Sequence, residues 1–522
     1  MKIALLVIYF GVMVAIGIYC RKHTSGINNF VLGGRSVGPW LTAFAYGTSY
    51  FSAVVFIGYA GQFGWKYGIA ATWAGIGNAI LGSLLVWVVL GRRTRIMTQH
   101  FDSTTMPQFF GQRFQSPSLK IGASIIIFIF LIPYTASLFN GLSRLFGMAF
   151  NIDYTVCIIL MGVLTGIYVI AGGYMATAIN DFVQGCIMLV GICAVVGAIL
   201  NTQGGFSEAL HNLAAVSDST TTNGDVPGIY ASFFGPEPVN LLGVVLLTSL
   251  GTWGLPQMVQ KFYAIKSEDA IHKGTVISTI FALVVSGGCY FMGGFGRLFS
   301  DQVDVATEGY DAIVPTMLSN LPELLIAIVV ILVLSASMST LSALVMTSSS
   351  TITLDLLKGN MVKKMNDFQA VFIIRCFIVV FIIISMVIAI IQYKYSISFI
   401  AQLMGVSWGA LAGAFLAPFL YSLYWKKATK AACWASFLFG AGVMSLNLLS
   451  NATGLFAFPA LLQSSINCGA FVMLAGLVIV PVVSLFTRKP DADMVNEAFA
   501  CYEKKTPVSQ KNSLSEIGRA HV

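Results

Sequence analysis

The chain has 522 residues, of which 57% are hydrophobic and only 10% are charged, and its formal net charge is +8. A soluble globular protein has about 25% charged residues, so this composition excludes a soluble fold and indicates an integral membrane protein. The sequence has no zinc-protease HExxH, nucleophile-elbow or Walker motif, which argues against an enzyme and against an ATP-driven pump.

Apolar runs long enough to cross a bilayer recur along the whole chain. A spanning helix needs about 20 apolar residues, and thirteen runs meet or approach that length. In chain order they are 2–20, 40–62, 70–92, 119–147, 154–171, 179–200, 239–262, 275–298, 321–352, 369–393, 396–424, 431–450 and 464–487. Only helices and closed barrels satisfy their backbone in lipid. Since these runs are too long for barrel strands, we predict an all-α integral membrane fold with thirteen transmembrane helices.

Positive charge is concentrated in alternate loops between these runs. The basic clusters are Arg21 and Lys22; Arg92, Arg93 and Arg95; Lys261, Lys266 and Lys273; Lys363 and Lys364; Lys426, Lys427 and Lys430; and Arg488 and Lys489. An intervening loop instead carries Asp301, Asp304, Glu308 and Asp311. Cytoplasmic loops are rich in Lys and Arg, so the N-terminus is predicted outside and the C-terminus in the cytoplasm. The surplus charge then encodes orientation in the lipid bilayer, and no nucleic-acid partner is expected.

The predicted domain organisation is simple. Residues 1–490 form one transmembrane domain, and its longest loop, about 201–238, is polar and faces outside. Residues 491–515 form a cytoplasmic tail. The last seven residues, "EIGRAHV" (516–522), can be back-translated into a sequencing adapter, so we interpret them as an artefact without function. No segment suggests an obligate protein partner.

Two of the runs contain helix-breaking residues at mid-membrane depth. Run 40–62 places Gly47 among hydroxyl side chains, and run 239–262 contains Gly251, Gly254 and Pro256. Pro removes a backbone donor and Gly loosens a helix. A kink filled by a neighbouring helix explains either break alone, but paired breaks in two halves of a chain are typical of transporters built from inverted repeats.

The run "SASMSTLSALVMTSSS" (335–350) is rich in hydroxyl groups although it follows an apolar stretch. Such hydroxyls either bond back to the preceding turn, allow close helix packing, or bind a hard cation. Residues 336, 339 and 340 share one helix face. The Ala336 carbonyl, the Ser339 and Thr340 hydroxyls, and two carbonyls of a broken helix would make five neutral oxygens suited to a monovalent cation. The spacing leaves this cation site and a structural role equally open.

Other polar residues in the core runs are candidates for ion release or for solute binding. Asp181 is an isolated carboxylate near the cytoplasmic end of its run, and its alternative role is pairing with a loop Lys. Candidate solute contacts combine hydroxyl, aromatic and amide groups, with ordinary packing as the alternative for each. They are Ser49, Tyr50, Ser52, Tyr134, Thr252, Trp253, Gln257 and Gln402.

Five sequence motifs resemble those of the sodium:solute symporter family, over nearly the whole chain. They are "NNFVLGGRSVGPW" (28–40), "IAGGYMATAINDFVQG" (170–185), "GLPQMVQKFYAIKS" (254–267), "SMSTLSALVMTSSSTITLDLLK" (337–358) and "FLAPFLYSLYWKKATKAA" (415–432). Within that family, the sequence resembles the bacterial sodium/proline and sodium/pantothenate symporters. The resemblance implies a LeuT-like core of five plus five inverted helices, with one extra helix before it and two after it.

The resemblance also implies a function and a ligand set. The function is sodium-coupled secondary active import of a small organic solute, either a proline-like amino acid or a pantothenate-like carboxylate, across the bacterial cytoplasmic membrane. Carried over by position, the sodium ligands are the carbonyls of Thr48, Phe51 and Ala336 and the hydroxyls of Ser339 and Thr340. The alternatives are a proton-coupled or sodium-independent carrier and a membrane solute sensor.

Some family motifs are altered in this sequence. A second sodium in some members uses two adjacent hydroxyls and the motif aspartate; Ser342 and Asp181 are present here, but the remaining position is Ala343. One sodium per solute is therefore expected. Tyr50 replaces the carboxylate of the proline-type first core helix, which puts strict proline specificity in doubt, and Val54 and Val55 replace the sugar-type polar pair.

Overall fold

The described part of the chain is built from helices, with only two isolated β-bridges. The computed structural model describes residues 2–21, 26–150, 153–319, 321–358, 361–362, 364–395 and 400–503. The predicted artefact at 516–522, and residues 504–515 of the predicted tail, lie outside these ranges. The all-α prediction is confirmed for the described residues.

The helices in the first half of the chain are α1 (Lys2–Cys20), α2 (Ile27–Leu32), α3 (Pro39–Tyr50), α4 (Ala60–Tyr67), α5 (Thr72–Ala79), α6 (Arg92–His100), α7 (Met106–Arg113), α8 (Pro117–Phe150), α9 (Tyr154–Thr202), α10 (Phe206–Ala214), α11 (Pro238–Leu250) and α12 (Pro256–Ala264). Those in the second half are α13 (Glu268–Gly293), α14 (Val305–Glu308), α15 (Ile313–Ser319), α16 (Glu323–Thr351), α17 (Asp367–Tyr395), α18 (Ile400–Tyr424), α19 (Lys430–Thr453), α20 (Ala460–Gln463), α21 (Ser465–Phe486) and α22 (Ala492–Phe499). Stretches of π-helix lie at Val54–Tyr59, Ile80–Leu84, Trp87–Gly91 and Ile352–Leu357.

Nine helical runs in the described residues are long and apolar enough to cross a membrane, or ten if the bent pair α11–α12 counts as one span. The thirteen predicted runs split two of these segments, Val54–His100 and Tyr154–Thr202, and add α1, which is a shorter apolar helix. The clearer of the two splits is in α9, which spans 49 residues. Gly173 interrupts it with φ 56° and ψ −154°, close to the boundary predicted between runs 154–171 and 179–200.

Both predicted helix breaks are present. Helix α3 ends at Tyr50, Phe51 is extended (φ −95°, ψ 102°), and helical structure resumes at Val54. Helix α11 ends at Leu250, and a 3₁₀ turn, Gly251–Trp253, leads into α12 with a bend of 40°. Helix α3 packs against α9, α13 and α16, so the first break lies inside the bundle.

Small residues allow the helices around the first break to touch backbone to backbone. A Cβ atom on Gly64 of α4 would lie 1.8 Å from the Gly293 carbonyl oxygen, and one on Gly293 would lie 2.1 Å from the Ala60 carbonyl oxygen. Close helix contacts through small residues are typical of membrane bundles. The half of the broken helix that follows the break is therefore held directly against the end of α13.

The long loop between α9 and α11 is fixed by one buried arginine. The Arg297 guanidinium donates to the Trp65 carbonyl oxygen at 2.5 Å and to the Asp218 carboxylate at 2.9 Å. It also lies over the Tyr230 ring, 4.0 Å from the centroid. Hydrogen bonds from Thr220, Thr221 and Arg297 hold the pKa of Asp218 well below its usual range. The polar loop is thus folded onto α4.

The end of the described chain is folded against the helix bundle. The Arg93 guanidinium lies between the rings of Tyr424 and Tyr502, at 4.1 and 4.7 Å from their centroids, and Arg113 lies over the Phe499 ring at 5.0 Å. Burial lowers the pKa of the Arg113 guanidinium to about 10. The first residues of the predicted tail therefore form α22 and a short 3₁₀ turn packed against α6 and α7.

We predict that Gly64→Ala destabilises the protein by about 3 kcal/mol, the upper part of the range for overpacking, because the added methyl group meets a backbone oxygen. The matched control is Gly197→Ala in α9, where a Cβ atom meets nothing within 4 Å. Thermal unfolding of the purified proteins in detergent measures both. Equal stability of the two variants would contradict the backbone contact between α4 and α13.

Candidate ion and solute site

The break after α3 frees the backbone carbonyl of Thr48 in the middle of the bundle. Val55 and Phe56 both donate their backbone N–H groups to the Ser52 carbonyl, and the Ser52 hydroxyl accepts from the Val54 N–H at 3.2 Å. This arrangement starts the half-helix that follows the break, as a serine N-cap does. The Thr48 carbonyl, one turn earlier, instead accepts from side chains of α16.

Four oxygen atoms meet where the broken helix contacts α16. The Ser339 hydroxyl lies 3.0 Å from the Thr48 carbonyl oxygen and 3.1 Å from that of Ala336. The Thr340 hydroxyl lies 3.0 Å from each of the same two carbonyl oxygens. All four residues are buried. The structure thus brings together four of the five predicted sodium ligands.

The chemistry of these oxygens fits a hard monovalent cation. Hard cations take oxygen ligands at about 2.3–2.6 Å, and oxygens about 3 Å apart pack around an ion of that size. None of the four oxygens is charged, so the cluster does not supply the negative charge that holds a divalent ion tightly. No group of three or more His, Cys, Asp or Glu side chains suited to a metal occurs among the described residues.

Phe51, the fifth predicted ligand, is the first residue past the end of α3. It is buried, and its ring lies 4.3 Å from the Tyr50 ring between centroids. Because its backbone is extended, its carbonyl does not continue the helical pattern of α3. Its part in the ligand set stays a prediction.

The neighbouring hydroxyls of α16 mostly bond to their own helix. Ser337 and Ser349 donate to the carbonyls of Val333 and Val345, four residues earlier, and Ser350 donates to that of Thr347. The structural interpretation is therefore confirmed for these three residues. Ser342 likewise donates to the Ser339 carbonyl at 2.8 Å.

Asp181 faces a buried lysine rather than Ser342. Its carboxylate lies 3.8 Å from the Lys261 ammonium, and the two side chains are 1% and 3% exposed. Lys261 also lies over the Tyr174 ring, 5.2 Å from its centroid. No hydrogen bond between Asp181 and Ser342 occurs in the described part of the chain, so a shared second ion site gains no support here.

The placement of Lys261 in a cytoplasmic loop is wrong. It lies in α12, and its side chain is buried because it faces Asp181 across the interface between α12 and α9. The sequence did carry a signal, since Lys261 falls inside the predicted run 239–262 and not after it. A lysine inside a span needs a partner, and Asp181 is the carboxylate that the motif supplies.

Four of the predicted solute contacts lie around the same break. Tyr50 stacks on Trp408 with 5.4 Å between ring centroids, and Tyr134 meets Trp408 edge-on at 5.9 Å. The Tyr50 hydroxyl donates to the Thr248 carbonyl oxygen, and the Tyr134 hydroxyl lies beside Ser52. Ser49 is buried in the same turn, and its hydroxyl has no hydrogen-bond partner among the described residues. The aromatic cluster of Tyr50, Tyr134 and Trp408 is apolar on its ring faces and polar at its edges.

Trp408 was missed by the sequence analysis, although it touches both predicted tyrosines. An aromatic residue inside the small-residue stretch "GVSWGALAG" (405–413) was the available signal. The small neighbours leave room beside the indole ring. Gly251, at the second break, would place a Cβ atom 2.6 Å from that ring, so Trp408 contacts both broken helices.

The remaining predicted solute contacts are placed differently. Thr252 donates to the Gly82 carbonyl oxygen at 3.0 Å, and the Trp253 indole donates to that of Leu81 at 2.9 Å, so both fix the second break to a π-helical stretch. Gln257 is buried in α12, and its amide has no partner among the described residues. Gln402 is exposed and lines a separate cavity.

Two polar cavities lie on opposite sides of this buried layer. One has a volume of 310 Å³ and is lined by Gln402 together with residues of α4, α11 and α21. The other has a volume of 960 Å³, and charged residues such as Asp102, Lys120 and Lys358 line it. The oxygen cluster and the aromatic cluster are buried between them, so the structure is closed around the candidate site.

We predict that the double variant Ser339→Ala/Thr340→Ala lowers sodium affinity at least tenfold, because it removes two of the predicted ligand oxygens. A tenfold change corresponds to about 1.4 kcal/mol of binding free energy. Ligands that bind only the folded state raise its stability, so the sodium-dependent rise in unfolding temperature measures this without any solute. Ser349→Ala, which removes a hydroxyl bonded to its own helix, is the control. A normal sodium response in the double variant would place the ion elsewhere.

We also predict that Asp181→Asn destabilises the protein by about 3–5 kcal/mol, since it leaves Lys261 buried without its counter-charge. The double variant Asp181→Asn/Lys261→Met removes both charges and recovers most of that loss. Thermal and denaturant unfolding compare the single and double variants. If Asp181→Asn alone were as stable as the wild type, the ion pair would have no structural role.

The chain is similar to known transporters over most of its length. The sequence profile of the sodium:solute symporter family matches residues 30–440. The chain is 29% identical over 491 residues to the osmoregulated proline transporter OpuE of Bacillus subtilis, covering 92% of this chain and 94% of that protein. It is also 29% identical over 504 residues to a sodium/proline symporter of Staphylococcus aureus, covering 94% and 93%.

A solved structure shares the fold. It is a Na⁺-coupled sialic acid symporter in a substrate-bound outward-open state, which superposes with a TM-score of 0.75 at 16% identity and covers 94% of this chain and 98% of its own. A likeness at that identity concerns the fold, whereas the family profile covers more than half of the chain. The chain therefore belongs to the sodium:solute symporter family.

Proposed function

We propose that this protein is a sodium-coupled symporter that imports a small zwitterionic amino acid of the proline type. The observation that carries the proposal is the cluster of four neutral, buried oxygens between the broken helix α3 and α16. A sodium ion there replaces hydroxyl hydrogen bonds with ion–oxygen contacts and ties the two helices together. This contact keeps the backbone at the first break in the conformation that binds the solute.

The aromatic cluster suits the solute. The N-terminal end of a helix dipole attracts a carboxylate, and the half-helix after the first break starts at Ser52 and Val54, beside Tyr50 and Tyr134. An ammonium group is attracted to aromatic faces, which the rings of Tyr50, Tyr134 and Trp408 supply. No charged side chain is needed, which accounts for Tyr50 at the position of a carboxylate. The names of the two bacterial relatives also favour proline.

One sodium is expected to move with each solute. Ala343 lacks the hydroxyl for a second ion, and Ser342 is bonded to its own helix. One charge crossing the membrane provides about 2.3 kcal/mol per 100 mV, and each 1.4 kcal/mol is about tenfold in concentration. The potential alone therefore supports an accumulation of about fiftyfold at 100 mV, and the sodium gradient multiplies it.

We further propose the membrane arrangement. The protein lies in a bacterial cytoplasmic membrane with thirteen spans, with α9 divided at Gly173, its N-terminus outside and its C-terminus in the cytoplasm. The core is five plus five inverted helices, preceded by α1 and followed by α19 and α21. Supporting this, the packed arginines Arg93 and Arg113 lie on one side with α22, and the loop held by Arg297 lies on the other.

We expect sodium-dependent uptake of labelled L-proline, but not of pantothenate, into proteoliposomes containing the purified protein. Initial rates are compared in inward sodium and choline gradients, with and without an inside-negative potassium diffusion potential. The potential should accelerate uptake because a net charge enters. The Ser339→Ala/Thr340→Ala variant should lose the sodium dependence, and Ser349→Ala should keep it.

Other outcomes would overturn the proposal in distinct ways. Proline uptake that is equal in choline and is driven by a proton gradient would make the protein a proton-coupled carrier. Sodium-dependent uptake of pantothenate alone would change the solute class. Binding of proline without any uptake would support a sensor.

A further inference from the structure

The last helix of the described chain, α22, forms part of the wall of the 960 Å³ cavity. Met494 and Glu497 of α22 line the cavity, together with Gln108 of α7 and Leu354, just past the end of α16. Leu354 lies about 20 Å from Thr340 along α16, at 1.5 Å per residue. The cavity therefore ends well short of the oxygen cluster, and it has to extend along α16 before an ion can leave on this side.

Two hydroxyl groups between the oxygen cluster and the cavity favour such an extension. Ser348 and Thr353 are fully buried, and neither hydroxyl has a hydrogen-bond partner among the described residues. A buried polar group without a partner costs free energy. Water that reaches this end of α16 in another conformation would satisfy both groups, so the closed conformation is strained where the cavity has to grow.

Residues 491–502, which we call the strap, connect elements from the two halves of the chain. The strap consists of the Asp491 N-cap, α22 and the 3₁₀ turn that follows it. The Tyr502 hydroxyl donates to the Arg93 carbonyl oxygen at 3.1 Å. The Arg93 guanidinium lies between the rings of Tyr502 and Tyr424. Arg93 belongs to α6 and Tyr424 to α18, so this stack spans both halves.

The strap also covers a buried charge. Arg113 of α7 is 0% exposed, lies over the Phe499 ring and donates from Nε to the Ser422 carbonyl oxygen at 3.1 Å. Its two terminal nitrogens have no hydrogen-bond partner, and the guanidinium has no ion pair, within the described residues. Burying a charge without a counter-charge is costly. The docked strap is thus held by aromatic contacts and opposed by desolvation, which makes its docking reversible.

We propose that the strap holds the protein closed on this side, and that it must leave its place before the 960 Å³ cavity can extend to the oxygen cluster. In transporters built from inverted repeats, one part of the bundle rocks against the other. Contacts that join α6 to α18 on one face resist opening on that face. The strap therefore sets how often the ion site opens to the side that the proposed orientation makes cytoplasmic. This goes beyond the proposed function, since it needs transport but no particular solute.

The first test releases the strap in the full-length protein, reconstituted in lipid nanodiscs without sodium or solute. The variant Phe499→Ala/Tyr502→Ala removes the two strap rings that contact Arg113 and Arg93. Hydrogen exchange followed by mass spectrometry measures the opening of the backbone over residues 342–351 of α16. We expect exchange there to become about threefold to tenfold faster, because the lost cation–aromatic contacts no longer hold the protein closed.

The matched control, Phe368→Ala/Phe486→Ala, removes two rings that are 81% and 87% exposed, and exchange in α16 should stay at the wild-type rate. The unfolding temperature and its rise with sodium show that each variant is folded. If the strap variant does not fold, Tyr502→Ala alone takes its place, with an expected increase of about threefold. Equal exchange in α16 of the strap variant and the control would refute the strap.

The second test fixes the strap in place. A His100 ring nitrogen lies 3.1 Å from the Glu497 carbonyl oxygen, and both residues are exposed. In the variant His100→Cys/Glu497→Cys, a short bifunctional methanethiosulfonate reagent links α6 to α22. Sodium-driven uptake of L-proline into proteoliposomes should fall about tenfold or more, since a protein held closed on one side cannot complete its cycle, and should return when a reductant breaks the link. The two single-cysteine variants, treated alike, account for reaction at the exposed Cys186, Cys193 and Cys376.

The outcomes separate the strap from the proposed solute. If the linked protein takes up L-proline as fast as the unlinked protein, the strap is refuted while the proposed function stands. If the wild type takes up no L-proline, the proposed solute is wrong, and hydrogen exchange, which needs no solute, still decides the strap. Faster exchange in α16 of the strap variant, and not of the control, supports the strap in either case.

Discussion

The architecture depends on a carbonyl that lost its helical partner. A membrane interior offers no water to an unpaired backbone group, so ending α3 at Tyr50 would be costly unless something else met the Thr48 carbonyl. The hydroxyls of Ser339 and Thr340 do so from a neighbouring helix. The same contact joins α3 to α16, satisfies the broken helix, and gathers oxygens of the kind that a hard cation prefers. The atoms that meet a structural requirement are thus also those of the proposed ion site.

The surrounding helices are arranged to tolerate this break. Glycine contacts at Gly64 and Gly293 bring α4 and α13 together without intervening side chains, and Trp408 fills the space between the two breaks. Asp181 and Lys261 neutralise each other on the side where α9 meets α12. These features act on different scales, but each keeps polar or irregular backbone away from lipid and inside the protein. The bundle can therefore hold an open helix end at its centre.

The sequence predicted those parts of the site that depend on local chemistry. Ser339 and Thr340 could be found because hydroxyl residues at helical spacing are unusual in an apolar run, whereas Thr48 came from the resemblance to the family. Tyr50 and Ser52 were candidates because they lie near the break, and Tyr134 because it carries a polar group in a core run. The sequence does not show which residues from distant parts of the chain are in contact. Lys261 was counted as a loop charge, and Gln402 lines a cavity apart from the aromatic cluster, because spacing along one helix does not tell how far apart two helices place their side chains. The number of spans is also difficult to predict from the sequence, since α9 is interrupted at Gly173 but has helical structure on both sides of it.

The two cavities have a consequence for the electric field inside the protein. Polar spaces of 310 and 960 Å³ admit water, and water carries little of a potential drop because it is strongly polarisable. The voltage across the membrane is then concentrated on the dry layer between the cavities, which contains the oxygen cluster. The same total work is done on a charge over a shorter path. The electric field at Thr48 and Ser339 is therefore stronger than the average field across a hydrocarbon core about 30 Å thick. The protein in this conformation is in effect a thinner insulator than the bilayer around it.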